Sequence, residues 1–229
     1  MKTIVISDTH LDKKFDKRKF NFLKRTILSA DKIIINGDFW DSWFVTIDDF
    51  LISKWQDIFP LLLDKDTFYI YGNHDPQQLV KNNWKYFATA AGEYYDYHDG
   101  GTSVHICHGD SFLLGKRGKI FEIYAQFVAM TNNSLAAKIL SRFMHLVEYL
   151  GYKIFGKKFM TQNKISKKNN YLQKISRNPQ SNEWLICGDT HHAELDNFFL
   201  HANSGCIHYG QGSFVQIENG QVSLVKIDY

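Results

Sequence analysis

Short β-rich apolar runs alternate with helical periodicities along the first half of the chain, which is the signature of a layered α/β fold. Thr3–Ser7 reads as a strand, and Phe20, Leu23 and Ile27 recur at helical spacing before a second buried strand, Lys32–Asn36. Leu51, Trp55, Ile58 and Leu62 suit one face of a single helix between Asp48 and Leu63. Thr67–Tyr71 is a third strand, after which Asp75-Pro76 reads as an N-cap followed by proline at the first helical position. Glu93–Tyr97 and Ser103–Cys107 flank the turn residues Asp99-Gly100-Gly101, and Trp184–Cys187 is another buried run. Phe214–Glu218 and Gln221–Ile227 alternate about Asn219-Gly220, the dipeptide that favours a type I′ hairpin.

One stretch breaks this rhythm. Residues from about 112 to 180 are far too many for a normal link between two strands, so they read as a helical insertion in a single domain spanning 1–229. Leu135, Ile139, Phe143, Leu146, Val147 and Leu150 fall on one helical stripe, with Ser134 or Asn133 as cap and Gly151 as stop. From Phe112 to Gln180 there are thirteen basic residues and two acidic ones, in a chain of formal net charge +3. An acidic body therefore carries a basic segment. Two readings stay open: a helical pair packed on the body or on a second subunit, or a lid that docks on anionic lipid headgroups and accepts an acyl chain.

Polar residues mark the point where each of five strands runs out: Asp8-Thr9-His10, Gly37-Asp38-Phe39-Trp40-Asp41, Gly72-Asn73-His74-Asp75, His108-Gly109-Asp110 and Gly188-Asp189-Thr190-His191. Loops beyond the carboxyl ends of strands converge in α/β sheets, so the five segments can surround one point. In an extended segment, side chains two apart share a side, which lets carboxylate and imidazole groups at alternate positions both face a metal. Asp, Asn and His donors without cysteine suit manganese or iron, and zinc also accepts them. Any single block is ordinary turn chemistry. Five in succession, each behind a strand, point to a centre of two divalent ions, the combination that phosphate ester or anhydride cleavage requires.

The order D-x-H, G-D-x-x-D, G-N-H-D, H and G-x-x-H resembles the calcineurin-like metallophosphoesterase superfamily, from Asp8 to His191. That resemblance implies an α/β, two-sheet αββα sandwich and two ions, most often manganese, with Asp38 bridging them. It assigns Asp8, His10 and His191 to one ion, Asn73, His108 and Asp189 to the other, and gives His74 contact with the phosphate and protonation of the leaving oxygen. The superfamily pattern has histidine where this chain has Asp189, a carboxylate that favours hard ions over zinc. His192 is the alternative donor. The large insertion resembles the branch containing UDP-2,3-diacylglucosamine pyrophosphatase. The expected substrate is thus a phosphate-containing small molecule or a lipid-linked phosphoester or pyrophosphate. A nuclease or cyclic-nucleotide phosphodiesterase ranks second, and a non-catalytic binding scaffold third.

The remaining residues refine the picture only slightly. Asp41 and Asp110 read as supports for histidines, and Trp40, Trp43 and Phe44 as packing rather than groove lining. His98, His105, His145, His201 and His208 follow no pattern and read as surface or packed residues. Asn203-Ser204-Gly205 resembles the superfamily's turn after the last motif. Cys107, Cys187 and Cys206 lack metal-type spacing and read as reduced, buried thiols. The apolar run after Met1 is too short for an export signal, so the expectation is a cytosolic protein, peripheral on a membrane's inner face if the basic segment docks there.

Overall fold

A computed structural model describes residues 1–99, 101–110, 150, 154 and 183–229. The basic insertion and His145 lie outside the described residues. β1 (Lys2–Ile6), β2 (Lys32–Asn36), β3 (Phe68–Ile70) and β4 (Ala90–Gly92) run parallel in that order. The sheet is completed by β10 (Ile207–His208), β11 (Gln211–Glu218) and β12 (Gln221–Asp228), with β11 antiparallel to β1. A second sheet has the order β5-β6-β7-β9-β8, from β5 (Tyr94–Asp99), β6 (Thr102–Cys107), β7 (Glu183–Cys187), β8 (Glu194–Asp196) and β9 (His201–Asn203).

Alternation along the strands builds the layers. Ile4, Ile6, Ile33 and Ile35 face one way, into a cluster with Phe22, Leu23 and Ile27 of α1 (Lys17–Leu28) and Phe59 and Leu62 of α3 (Phe59–Asp64). Their neighbours Val5 and Ile34 face the other way and meet Val104, Ile106, Ile186 and Ala202 of the second sheet. Each fully buried side chain contributes about 1.5–3 kcal/mol, so this double-sided burial is what fixes strand register. Two stacked sheets with helices against the first match the expected sandwich.

The single helix expected between Asp48 and Leu63 is three pieces: α2 (Ile47–Leu51), a 3₁₀ segment Lys54–Ile58, and α3. Ser53 explains the break, because its hydroxyl accepts from Trp55 N and donates to Phe50 O, a local alternative to helical bonding. The apolar spacing is preserved through the break, since Trp55, Ile58 and Leu62 are all buried. The hairpin at Asn219-Gly220 forms as expected, both residues having positive φ, 51° and 75°. Cys107, Cys187 and Cys206 are free and buried. No helix among the described residues is long and apolar enough to cross a membrane.

On the second sheet, His105 of β6 stands opposite Asp96 of β5, with Nδ1 2.7 Å from Oδ1. A hydrogen bond with the Cys107 thiol and the Asp96 carboxylate raise the His105 pKa to about 9, against partial burial. A raised histidine stabilises the fold fully below its unfolded value near 6.5, and that contribution is lost as pH rises through about 9. Both side chains are partly exposed, so the contribution stays below about 1 kcal/mol. An NMR titration of Asp96→Asn should show His105 titrating at lower pH, with a flatter stability profile between neutral and alkaline pH. An unchanged His105 titration would disprove the pairing.

Candidate metal centre

β1, β2, β3, β6 and β7 all end on one side of the sandwich, and each hands over to one of the five polar segments. The segments are stitched edge to edge. Asp8 N donates to Gly37 O (3.1 Å), His10 N to Asp38 O (2.9 Å), and Gly188 N to His108 O (2.9 Å). Asp189 N donates to the Asp8 carboxylate, 3.1 Å away, joining the last segment to the first. Two glycines permit this closeness: a Cβ on Gly37 would lie 2.3 Å from His108 Nδ1, and one on Gly72 would lie 2.3 Å from Asp38 Oδ1.

The backbone differs from the extended one expected. Asp8 (φ 51°), His10 (43°), Asp38 (53°), Asp189 (61°) and His191 (58°) all occupy the left-handed region. The chain curls rather than extends, so Asp8 with His10, and likewise Asp189 with His191, are presented by alternating handedness and not by strand periodicity. Each such residue costs on the order of 1–3 kcal/mol, a strain that packing must hold and that concentrates at functional sites.

The donor atoms converge. His191 Nε2 lies 3.2 Å from Asp8 Oδ1 and 3.1 Å from His10 Nε2, while His10 Nε2 is 3.8 Å from Asp38 Oδ2. On the other side of Asp38, His108 Nε2 lies 3.4 Å from Asp38 Oδ1 and 3.2 Å from Asn73 Oδ1. Asp8, Asp38, His10 and His108 are all buried.

Tautomers show what this pocket is built to hold. The carbonyl Asn36 O can only accept, so His108 Nδ1 (2.8 Å away) carries the proton and Nε2 is left with a lone pair. That lone pair faces Asp38 Oδ1 and Asn73 Oδ1, two further acceptors. His10 repeats the arrangement, with Nδ1 3.2 Å from Asp41 Oδ2 and Nε2 directed at His191 and Asp38. A set of buried acceptors aimed at common points calls for cations, and hard-to-borderline Asp, Asn and His donors suit divalent ions. In the metal-free protein, protons supply the charge instead. Burial opposes protonation of His108, but Asp38 and Asp8 raise its pKa well above the ordinary value. Burial likewise opposes ionisation of Asp38, yet His108 and His74 hold its carboxyl well below the usual range.

Two carboxylates organise this pocket from behind. Asp41 takes His10 Nδ1 on one oxygen and His74 Nδ1 (3.1 Å) on the other, and so orients both rings. Burial acts against charge on His74, but Asp41 and Asp38 raise its pKa to about 10, and Trp43 stacks on the ring at 4.1 Å. Asp75 corrects the sequence reading: Pro76 is the N-cap of α4 (Gln77–Val80), with no side-chain cap bond. The Asp75 carboxylate instead accepts from the backbone N–H groups of Asp38, Phe39, Trp40 and Gly72. The signal for that role was present as the fourth residue of G-N-H-D, but Asp before Pro also spells a helix cap.

Of the sequence candidates, Asp8, His10, Asp38, Asn73, His74, His108 and His191 come together. Among the described residues the Asp189 side chain joins none of the tight donor clusters, although its charge bears on His191. Trp40 is core, its indole N–H bonded to Val45 O, whereas Trp43 belongs to the site through His74. His201 is fully buried in β9, and His98 bonds Ser103 on the hairpin surface. Asn203 and Ser204 reach the site's floor, through Asn203 Nδ2 to Gly188 O (2.8 Å) and Ser204 Oγ to Ser7 Oγ (2.7 Å).

Residues 1–193 match the family model for calcineurin-like phosphoesterases. The chain belongs to that family. No curated protein matches it. Among solved structures it is similar to wild-type Vps29 complexed with zinc from Entamoeba histolytica, at 14% identity over 100% of this chain and 99% of that one, TM-score 0.47. It is also similar to Yfce, a phosphoesterase from E. coli, at 13% identity over 100% of both chains, TM-score 0.45. A predicted phosphoesterase from Streptococcus pneumoniae is 16% identical over 99% of this chain and 88% of that one, TM-score 0.42. Family membership and the convergent donors together support divalent metal binding.

Proposed function

We propose that this calcineurin-like phosphoesterase hydrolyses a phosphoester or pyrophosphate bond in a nucleotide- or lipid-linked substrate with two divalent ions. The observation that carries the reading is the buried set of acceptors on both sides of Asp38. Asp8, His10 and His191 would hold one ion, Asn73 and His108 the other, with Asp38 between them. When bound, the ions supply charge neutralisation and activation of water at neutral pH. His74, fixed by Asp41 through Nδ1, keeps Nε2 to hand a proton to the leaving oxygen. Trp43 stiffens that ring. The lipid- or nucleotide-linked class, and contact with a membrane's inner face, rest on the basic composition of residues 112–180.

Manganese-loaded protein should release product from bis(p-nitrophenyl) phosphate, p-nitrophenyl phosphate or a UDP-linked lipid, and chelation should abolish it. Absence of metal-dependent release from all three would sink the reading. Preference for the UDP-lipid, together with liposome co-sedimentation lost when Lys153, Lys157 and Lys158 are neutralised, would favour the membrane-facing substrate. For the second ion, Asp189→His should shift selectivity toward zinc by roughly tenfold. Competition between manganese and zinc, read by elemental analysis, checks this; equal selectivity would remove Asp189 from the site.

A further inference from the structure

Two thiols stand outside the scheme above. β6 and β7 run parallel in register from Ser103↔Glu183 to Ile106↔Ile186, which sets Cys107 beside Cys187 at the next step. Val104, Ile106 and Ile186 face the first sheet, so by alternation His105, Cys107, Leu185 and Cys187 share the opposite face. There Cys107, Leu185 and Cys187 form a small buried cluster of their own. The two thiols are free, and they are hydrogen-bonded to each other.

This geometry suits a covalent link. Neighbouring strands lie about 4.8 Å apart and the Cα atoms of a disulfide about 4.4–6.8 Å apart, so the backbone need not part for the bond to form. Access differs between the two sulfurs. Cys187 is sealed, whereas Cys107 is 7% exposed and hydrogen-bonds His105, whose side chain is 32% exposed. A small oxidant therefore reaches Cys107 first, and Cys187 is the thiol at hand to resolve it.

Position gives the pair a consequence. Cys107 is followed by His108, and Cys187 by Gly188 and the segment that ends in His191. A Cβ on Gly109 would lie 3.3 Å from Cys187 Cβ and 3.6 Å from its Sγ, so this sulfur packs against the backbone just past His108. The sulfurs of a disulfide are about 2.0 Å apart, well inside the separation of two hydrogen-bonded thiols. Closing that gap draws the ends of β6 and β7 together and shifts the donors they carry.

We propose that Cys107 and Cys187 are an oxidation site that closes to a disulfide on exposure to hydrogen peroxide, and that closure weakens the metal centre. The Cys107 sulfur attacks one peroxide oxygen; the O–O bond breaks, the other oxygen leaves as water with the thiol proton, and Cys107 becomes a sulfenic acid. The Cys187 sulfur then attacks the Cys107 sulfur, the S–O bond breaks, and the hydroxyl leaves as water with the Cys187 proton. Two electrons pass from the sulfur pair to the peroxide. The disulfide stands on its own, whereas its effect on the metals rests on the two-ion reading above.

Metal-free protein treated with hydrogen peroxide, then freed of it, should lose the mass of two hydrogens, yield a peptide linking Cys107 to Cys187, and regain its mass with dithiothreitol. Cys206→Ser should behave as wild type, and Cys187→Ser should stop at a Cys107 sulfenic acid that dimedone traps. Calorimetry with manganese should give a Kd about tenfold higher for the oxidised form, restored by dithiothreitol. In the wild type, two alkylatable thiols after peroxide, or over-oxidised Cys107 without a cross-link, would overturn the proposal even if the serine variants fail to fold. A disulfide that leaves the manganese Kd unchanged would overturn the coupling. If neither form binds manganese, the two-ion reading falls and the coupling with it, and the linked peptide alone decides the oxidation site.

Discussion

Asp38→Asn should lower metal-dependent hydrolysis by at least about a thousandfold, roughly 4 kcal/mol of transition-state stabilisation, without unfolding the protein. Asp38 faces both donor sets: Oδ2 faces His10, while Oδ1 faces His108 and accepts the backbone N–H of His74 at 2.9 Å. Asparagine keeps the shape and one oxygen. Its NH₂ can be turned toward only one side, and there it opposes a cation. The charge it removes stands near Asp8 and Asp75, two carboxylates that Asp38 disfavours, so the metal-free fold loses a repulsion together with its attraction to His108. The midpoint of thermal unfolding of the metal-free variant should therefore stay within a few degrees of wild type, whereas the rise on adding manganese should largely vanish. Wild-type turnover in Asp38→Asn, or an undiminished thermal shift with manganese, would show that the clusters on either side of Asp38 do not work as one centre.

Much of this architecture is written locally, and the parts that are not share a cause. β2 is legible to the residue because Ile33, Ile34 and Ile35 are buried on both faces, and a run buried that way has no polar phase to confuse it. β8, β9 and β10 have three residues or fewer and carry Glu194, Asp196, His201 and His208; they are strands because neighbours supply partners, and no hydrophobic run announces them. The site residues could be picked out from Asp and His at strand ends, since residue type constrains chemistry. Their conformation could not. Asp and His tolerate the left-handed region without requiring it, so nothing in Asp8-Thr9-His10 distinguishes a curled segment from an extended one. Lys19, buried on α1 with Nζ bonded to Thr9 O and His208 Nδ1, was hidden for a related reason: a lysine beside Arg18 and Phe20 reads as a helix surface until the strand that covers it is placed.

Asp75→Ala is the second large effect, and it should fall on folding before chemistry. The carboxylate is fully buried and gathers four backbone donors: Asp38 N and Gly72 N on Oδ1, both at 2.9 Å, and Phe39 N at 2.7 Å with Trp40 N at 3.3 Å on Oδ2. It closes the Gly37–Trp40 loop onto the Gly72–His74 loop, and so sets where Asp38 and Asn73 stand relative to each other. Alanine leaves those N–H groups without an acceptor, each worth about 1–3 kcal/mol if it stays buried. Relief of repulsion with Asp38 and partial relaxation of the loop offset some of this, which brings the expected loss to about 3–5 kcal/mol in urea unfolding. Asp75→Asn retains one acceptor but turns an NH₂ toward two N–H donors, so it should lose nearly as much despite its matching shape. Metal occupancy should fall in both variants, because a displaced Asp38 reaches neither cluster. A loss below about 1 kcal/mol in Asp75→Ala, with full occupancy, would mean that the left-handed backbone at Asp38 is held by packing alone and not by this carboxylate.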